Sequence, residues 1–384
     1  MKSLTISSNT FTPSEVGLQF PTKSSLDVET IEFLTKLKTS KFIDLEWLCQ
    51  DYVLANRWIS YAIESNVKEL NLGLASYVYS SDEGLDEGLD EGLDECQVPE
   101  SILRAKSMIV LNLSGGNLKS SYSDINLSSL RKLVLSCVDI DDQIFPSLIY
   151  GCPVLEEIKI KRCYGLKNIH LPACLPKLMS IKLLKYDEEL ESFEMEAPNL
   201  KKLVIDSPIV TDKWLHSVLS KHPLIESLEL RYFCMLERIK ISSDHMKSLT
   251  IDHCNHLVEV NIITPNLHTL NYCGDVISLS SNAFTLSEVS LQFLGKIYLD
   301  VETIEFLAKL SHPKLLTWSG CDKFSYETPV YKSKNPNCCK FLPVPCWRHC
   351  LKTIKIDESG RESIDVKALK KYFHKNAEIL DSIL

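Results

Sequence analysis

A six-residue phrase with apolar side chains at its first, fourth and sixth positions recurs along the chain. It reads MIVLNL (Met108, Leu111, Leu113), LRKLVL (Leu130, Leu133, Leu135), LEEIKI (Leu155, Ile158, Ile160) and LMSIKL (Leu178, Ile181, Leu183). LKKLVI (Leu200, Leu203, Ile205) and IESLEL (Ile225, Leu228, Leu230) follow. The central apolar residue advances by 22, 25, 23, 22 and 25 residues. Three such side chains fit one short strand entered from a turn, and one strand cannot bury its apolar face alone. A fixed period of this length therefore demands stacking, which makes a parallel sheet with a continuous core behind it.

The period is that of leucine-rich repeats. The expected fold is an α/β leucine-rich-repeat solenoid: an open, curved parallel sheet with short helices or irregular segments on the convex side. DDQIFPSLIYGCPV and VTDKWLHSVLSKHPL read as such helices, closed by Gly151 and by His222-Pro223. From Leu228 the rhythm doubles. LERIKI (Leu236, Ile239, Ile241), MKSLTI (Met246, Leu249, Ile251), LVEVNI (Leu257, Val260, Ile262) and LHTLNY (Leu267, Leu270, Tyr272) follow one another at half the earlier interval. That leaves no room for a helix and predicts strands on both sides of each coil. A β-helix would show the short period throughout, which the upstream spacing argues against.

The chain also repeats itself at long range. Ser8–Leu37 and Ser281–Leu310 align without a gap and are identical at 22 of 30 positions, and MKSLTI occurs at both Met1 and Met246. Fusion of related tandem copies accounts for this, as does use of Ser8–Leu37 as an N-terminal cap, which terminal repeats need. The expected organisation is a duplicated fragment or cap over 1–45, a solenoid over 46–310 and a C-terminal cap region over 311–384.

The net charge of −9 lies in one place. Residues 81–100 hold nine acids and no Lys or Arg, and the remaining 42 basic and 42 acidic residues cancel. A dedicated nucleic-acid binder would show a basic excess. The core of the acidic stretch, DEGLDEGLDEGLDE, lacks the alternating oxygen ligands of a calcium loop, so 81–97 is expected to be a disordered acidic insertion. No run of about 18 apolar residues is present, and MKSLTISSNT lacks the pattern of a secretory signal. A cytoplasmic or nuclear protein is expected, and its 14 cysteines read as reduced thiols.

NRWISYAIESNVKELNLGL (Asn56–Leu74), VPESILRAKSMIVLNLSG (Val98–Gly115) and LRKLVLSCVDIDDQIFPSLIYGCPVLEEIKIKRC (Leu130–Cys163) resemble plant F-box/LRR proteins. PVPCWRHCLKTIKIDESG and LKKYFHKNAEILDSIL resemble the FBD-like C-terminal region of one branch of that family. The resemblance implies the substrate receptor of an SCF-type ubiquitin ligase, with F-box helices holding a Skp1-like adaptor and the solenoid holding the substrate. The stretch from Met1 to Gln50 shows none of the Leu-Pro start and amphipathic helices of an F-box, so adaptor binding is not expected.

Four places invite a chemical reading. Cys338, Cys339, Cys346, His349 and Cys350 lack the paired clusters of structural zinc. His253, Cys254 and His256 sit at a turn with no third group to orient a base. Gly115-Gly116 is a turn without a phosphate-loop Lys, and Trp58 and Trp214 fall on apolar helical faces. No enzyme, cofactor or metal is expected. The outward positions of each phrase form the candidate partner-binding face: Lys132, Val134, Glu157, Lys159, Ser180, Lys182, Lys202, Val204, Ser227, Glu229, Arg238 and Lys240. Mixed charge without an aromatic pocket suits a broad polar protein interface. A small-molecule receptor would need converging aromatics. A degenerate duplication product without ligase activity is the other reading.

Overall fold

A computed structural model describes residues 15–19, 42–48, 52–75, 96–118, 124–184, 190–206, 210–254, 256–275, 277–281, 286–293, 315–320 and 353–356, with five further residues between 371 and 383. The chain divides into two units, Met1–Asn199 and Leu200–Leu384.

In the first unit the elements run β1 (Glu15–Gln19), β2 (Phe42–Leu48), α1 (Tyr52–Glu64), β3 (Glu69–Ala75), α2 (Glu100–Leu103), β4 (Val110–Gly115), β5 (Asn117–Leu118) and β6 (Lys132–Ser136). Then come β7 (Asp139–Ile140), α3 (Ile144–Tyr150), β8 (Glu157–Lys161), β9 (Asn168–Leu171), β10 (Ser180–Leu184) and β11 (Ser192–Met195). The main sheet has the order β1-β2-β3-β4-β6-β8-β10, every pair parallel. The phrases stack without slip: Leu111 faces Leu133, Leu133 faces Ile158, and Ile158 faces Ile181. All four are at most 2% exposed. The repeat thus specifies its own register, because a one-residue slip would turn these side chains out to water. Smaller parallel ladders join β5 to β7 and β9 to β11.

In the second unit come β12 (Lys202–Asp206), α4 (Asp212–Lys221), β13 (Ser227–Arg231), β14 (Arg238–Ser242), β15 (Ser248–Asp252), β16 (Glu259–Ile263), β17 (Thr269–Gly274) and β18 (Ser278–Ser281). β19 (Glu288–Phe293), β20 (Leu315–Gly320), β21 (Thr353–Ile356) and β22 (Ser382–Ile383) follow. The main sheet runs β12-β13-β15-β17-β19-β20-β21-β22 and a second sheet runs β14-β16-β18. Successive phrases after Leu228 therefore alternate between two sheets, as the halved spacing predicts.

The expected helices are α3 and α4. In α4 the Thr211 hydroxyl accepts the Trp214 N–H at 3.3 Å. Asp212 and Lys221 sit at the ends that suit their charges, and Leu215 and Val218 face the core. His222 closes the helix, buried, with its Nδ1 2.8 Å from the Val218 carbonyl. Trp214 is half-buried rather than core, because Leu215 and Val218 take the inward stripe. Between β8 and β10 the convex-side segment, expected to be a short helix or irregular, is the strand β9. Pro172 and Pro176 follow it, and proline cannot sustain a helix interior.

The two-glycine turn ends β4. Gly115 has φ +77°, and a Cβ there would lie 2.1 Å from the Leu74 carbonyl oxygen. The acidic repeat of 82–95, the Cys338–Cys350 group and the Trp58 side chain lie outside the described residues. Gln97, at the end of the acidic stretch, bridges Asn117 in parallel. Cys96 is disulfide-bonded, unlike the expected reduced thiol, whereas Cys137, Cys152, Cys163, Cys174, Cys234, Cys254 and Cys273 are thiols. Burial pushes Cys152 and Cys163 up to about 12, so both are inert.

Candidate functional site

Side chains of a strand alternate between its two faces, so every phrase that buries its apolar residues turns the intervening ones outward. In the first unit this brings Lys132, Val134 and Ser136 of β6 beside Glu157, Lys159 and Lys161 of β8. Ser180, Lys182 and Leu184 of β10 lie on the other side of β8. All nine are half-buried. Glu157 sits between two lysines: its carboxylate is 2.6 Å from Lys182 Nζ and 3.4 Å from Lys132 Nζ. Burial alone would raise the Glu157 carboxyl, but the hydrogen bonds and charge of Lys182 and Lys132 hold it below its ordinary range.

Lys159 is in no ion pair among the described residues. Its ammonium is pushed down by burial, and further by Lys161, Lys182 and Lys132, against only the opposing pull of Glu157. Among the described residues, Lys132, Lys159 and Lys182 thus gather about the Glu157 carboxylate across three neighbouring strands, and Lys161 adds its charge beside Lys159. On the adjoining β3 and β4 the outward row is Glu69 and Asn71 beside Val110 and Asn112, with Asn112 donating its amide to Asn71.

In the second unit the outward row differs. Ser227 and Glu229 are half-buried on β13, and Glu229 pairs with Arg231. Lys202 is half-buried but Val204 is only 4% exposed, so it offers little surface. One position further along, Asp206, Arg231, Asp252 and Cys273 stand in register on β12, β13, β15 and β17.

Arg238 and Lys240 do not join this face. They lie on β14, in the second sheet, and with Ile239 they line a cleft of about 350 Å³ against Asp212, Lys213, Leu215 and His216 of α4. The spacing of Leu236, Ile239 and Ile241 matches a main-sheet phrase, and apolar spacing alone does not tell which sheet receives it. The residue after each phrase escaped the sequence reading. Lys161, Arg231 and Asp252 each follow the last apolar residue by one, and strand alternation would have flagged them.

After four of the main strands the chain turns through a left-handed residue: Cys137, Arg162, Tyr232 and His253, with φ between 49 and 56°. Each donates its N–H to the end of the next main strand, as Tyr232 does to the Asp252 carbonyl at 2.9 Å and His253 to the Cys273 carbonyl at 2.8 Å. The turn carries a row of side chains along the rim of the face, and the Tyr232 and His253 rings stack at 4.9 Å. His253, Cys254 and His256 do not assemble. Cys254 is buried, donates to the Asp252 carbonyl at 3.6 Å and is pushed up to about 11 by burial, while His256 is exposed.

A family model described as the At1g61320/AtMIF1 LRR domain matches residues 34–209 and 200–309. The chain belongs to this leucine-rich-repeat family. The LRR domain so matched covers the lysine face and the rim of the second unit alike. Among curated proteins of Arabidopsis thaliana the chain is similar to an F-box/FBD/LRR-repeat protein, 26% identical over 40% of this chain and 34% of the relative. It is also similar to an F-box/LRR-repeat protein, 28% identical over 40% of each. F-box/LRR-repeat protein 25 is 24% identical over 38% of this chain and 51% of the relative. The chain thus spans a third to a half of the length of these relatives. No helix among the described residues is long and apolar enough to cross a membrane.

Proposed function

We propose that this LRR protein is a non-catalytic protein-interaction module of the cytoplasm or nucleus. In this reading it resembles the substrate-binding part of an SCF-type ubiquitin ligase receptor, and the face of β6, β8 and β10 takes an acidic stretch of a protein partner. The carrying observation is the gathering of Lys132, Lys159 and Lys182 about the carboxylate of Glu157, with Lys161 adding its charge beside Lys159. Half-buried like charges repel one another in a medium less polar than water, and a partner's carboxylates relieve that repulsion. The names of the relatives support the ligase setting.

The test is binding of a labelled Glu-rich peptide by fluorescence anisotropy. Binding should weaken at least about tenfold in the double variant K159E/K182E, and should weaken with added salt as exposed charges are screened. Equal binding by wild type and double variant would overturn the proposal. A DNA duplex of similar charge serves as the control and is expected to bind no better than the peptide.

A Skp1-like adaptor is expected to leave the chain uncomplexed. β1 and β2, which lie within Met1–Gln50, are strands paired into the main sheet, which supports a structural rather than an adaptor-binding role for them. Size exclusion of the two proteins at micromolar concentration should give separate peaks. A one-to-one complex lost on deleting Met1–Gln50 would refute this.

A further inference from the structure

We infer that Asp252, His253 and Cys273 form a binding site for a zinc-class divalent cation at the rim of the second unit. Register brings the three together. Asp252 ends β15 and lies opposite Cys273 on β17. His253 directly follows Asp252, and adjacent residues on a strand would point to opposite faces. The left-handed turn at His253, with φ 53°, breaks that alternation and returns the imidazole to the side of its neighbour.

One ring nitrogen receives both contacts. His253 Nδ1 lies 2.6 Å from Asp252 Oδ1 and 3.6 Å from Cys273 Sγ. A Cys-His-Asp proton relay needs the thiol and the carboxylate on opposite ring nitrogens, so this arrangement does not relay a proton. Three different donor atoms converging within 4.8 Å of one another is instead the geometry of ligands around a common ion. With Zn–N and Zn–S bonds of about 2.0–2.3 Å, a tetrahedral ion sets N and S about 3.6 Å apart, the separation found. The carboxylate oxygen must retreat by roughly 1 Å to exchange its hydrogen bond for a metal bond.

The surroundings favour a cation. Asp206 and Glu229 add two carboxylates around the one guanidinium of Arg231, whose charge senses Asp252 and Asp206 as well as its partner Glu229. The Tyr232 ring lies flat against His253 and fixes its plane. A thiolate beside an imidazole selects zinc or cobalt over magnesium or calcium. Three protein donors leave the fourth position to water, so the ion is exchangeable rather than locked in. Binding converts the Cys273 thiol to a thiolate and releases its proton to solvent.

The experiment is a Co²⁺ titration of the reduced full chain. It should give a thiolate-to-cobalt charge-transfer band and the visible bands of tetrahedral cobalt, both abolished by excess Zn²⁺. The charge-transfer band should vanish in Cys273→Ser, and cobalt binding should weaken at least about tenfold in His253→Gln. Cys234→Ser should keep the full signal. Circular dichroism of each variant checks that the fold persists, and release of a proton on zinc addition gives a second readout. A wild-type titration without the band, or a band unchanged in both Cys273→Ser and His253→Gln, overturns the site.

Discussion

Glu157 is the residue on which the lysine face turns. It answers two of four ammonium groups at half-exposed positions, where ion pairs contribute little. Glu157→Gln should therefore lower stability by less than about 1 kcal/mol, measured by urea denaturation, while tightening binding of the Glu-rich peptide. His222 makes a different prediction. Burial depresses its imidazole below the ordinary 6.5, so as pH falls the unfolded chain takes up the proton first. Its contribution is complete above pH 6.5 and is lost as pH drops through the lower folded value. A fall in the unfolding midpoint below that pH, flattened in His222→Gln, is the expected outcome. Single residues were only partly legible in the sequence. Lys132, Glu157, Lys159 and Lys182 follow from alternation within a phrase. The meeting of His253 with Cys273 depends on which coils lie side by side and on a left-handed turn, and neither is written in local spacing.

Elements were more legible because each is set by short-range chemistry. α4 begins at an N-cap threonine and ends at His-Pro, and Thr211→Ala should cost about 1 kcal/mol, read as a lower urea midpoint. The β4 turn tolerates only glycine where the chain passes Leu74, so Gly115→Ala should destabilise by about 1–3 kcal/mol through left-handed strain alone, and more if the Leu74 carbonyl cannot give way. The assignment of phrases to sheets was less legible. LERIKI and LKKLVI share one apolar pattern, yet one enters the second sheet and the other the main sheet. What tells them apart is the interval to the preceding phrase: Leu203 follows Ile181 by 22 residues, a whole coil, whereas Ile239 follows Leu228 by 11, half of one.

For the molecule, pairing between neighbours dominates, so damage should stay local. Leu133→Ala, at a position fully buried between Leu111 and Ile158, should cost about 2–5 kcal/mol. Hydrogen exchange should speed up most in β4, β6 and β8. The same arithmetic explains how a chain can hold one passage twice. Glu15–Gln19 and Glu288–Phe293 are equivalent positions of the two copies, and both are strands in parallel pairing. Each edge of a coil's strand presents N–H and C=O groups in alternation, in the same order as its neighbours. Recombination between two coils can then cut and rejoin the gene at matching points, and the inserted length docks on edges already spaced to receive it. For such a protein, growth by whole turns is a mild mutation, while the insertion of one residue within a strand is a severe one.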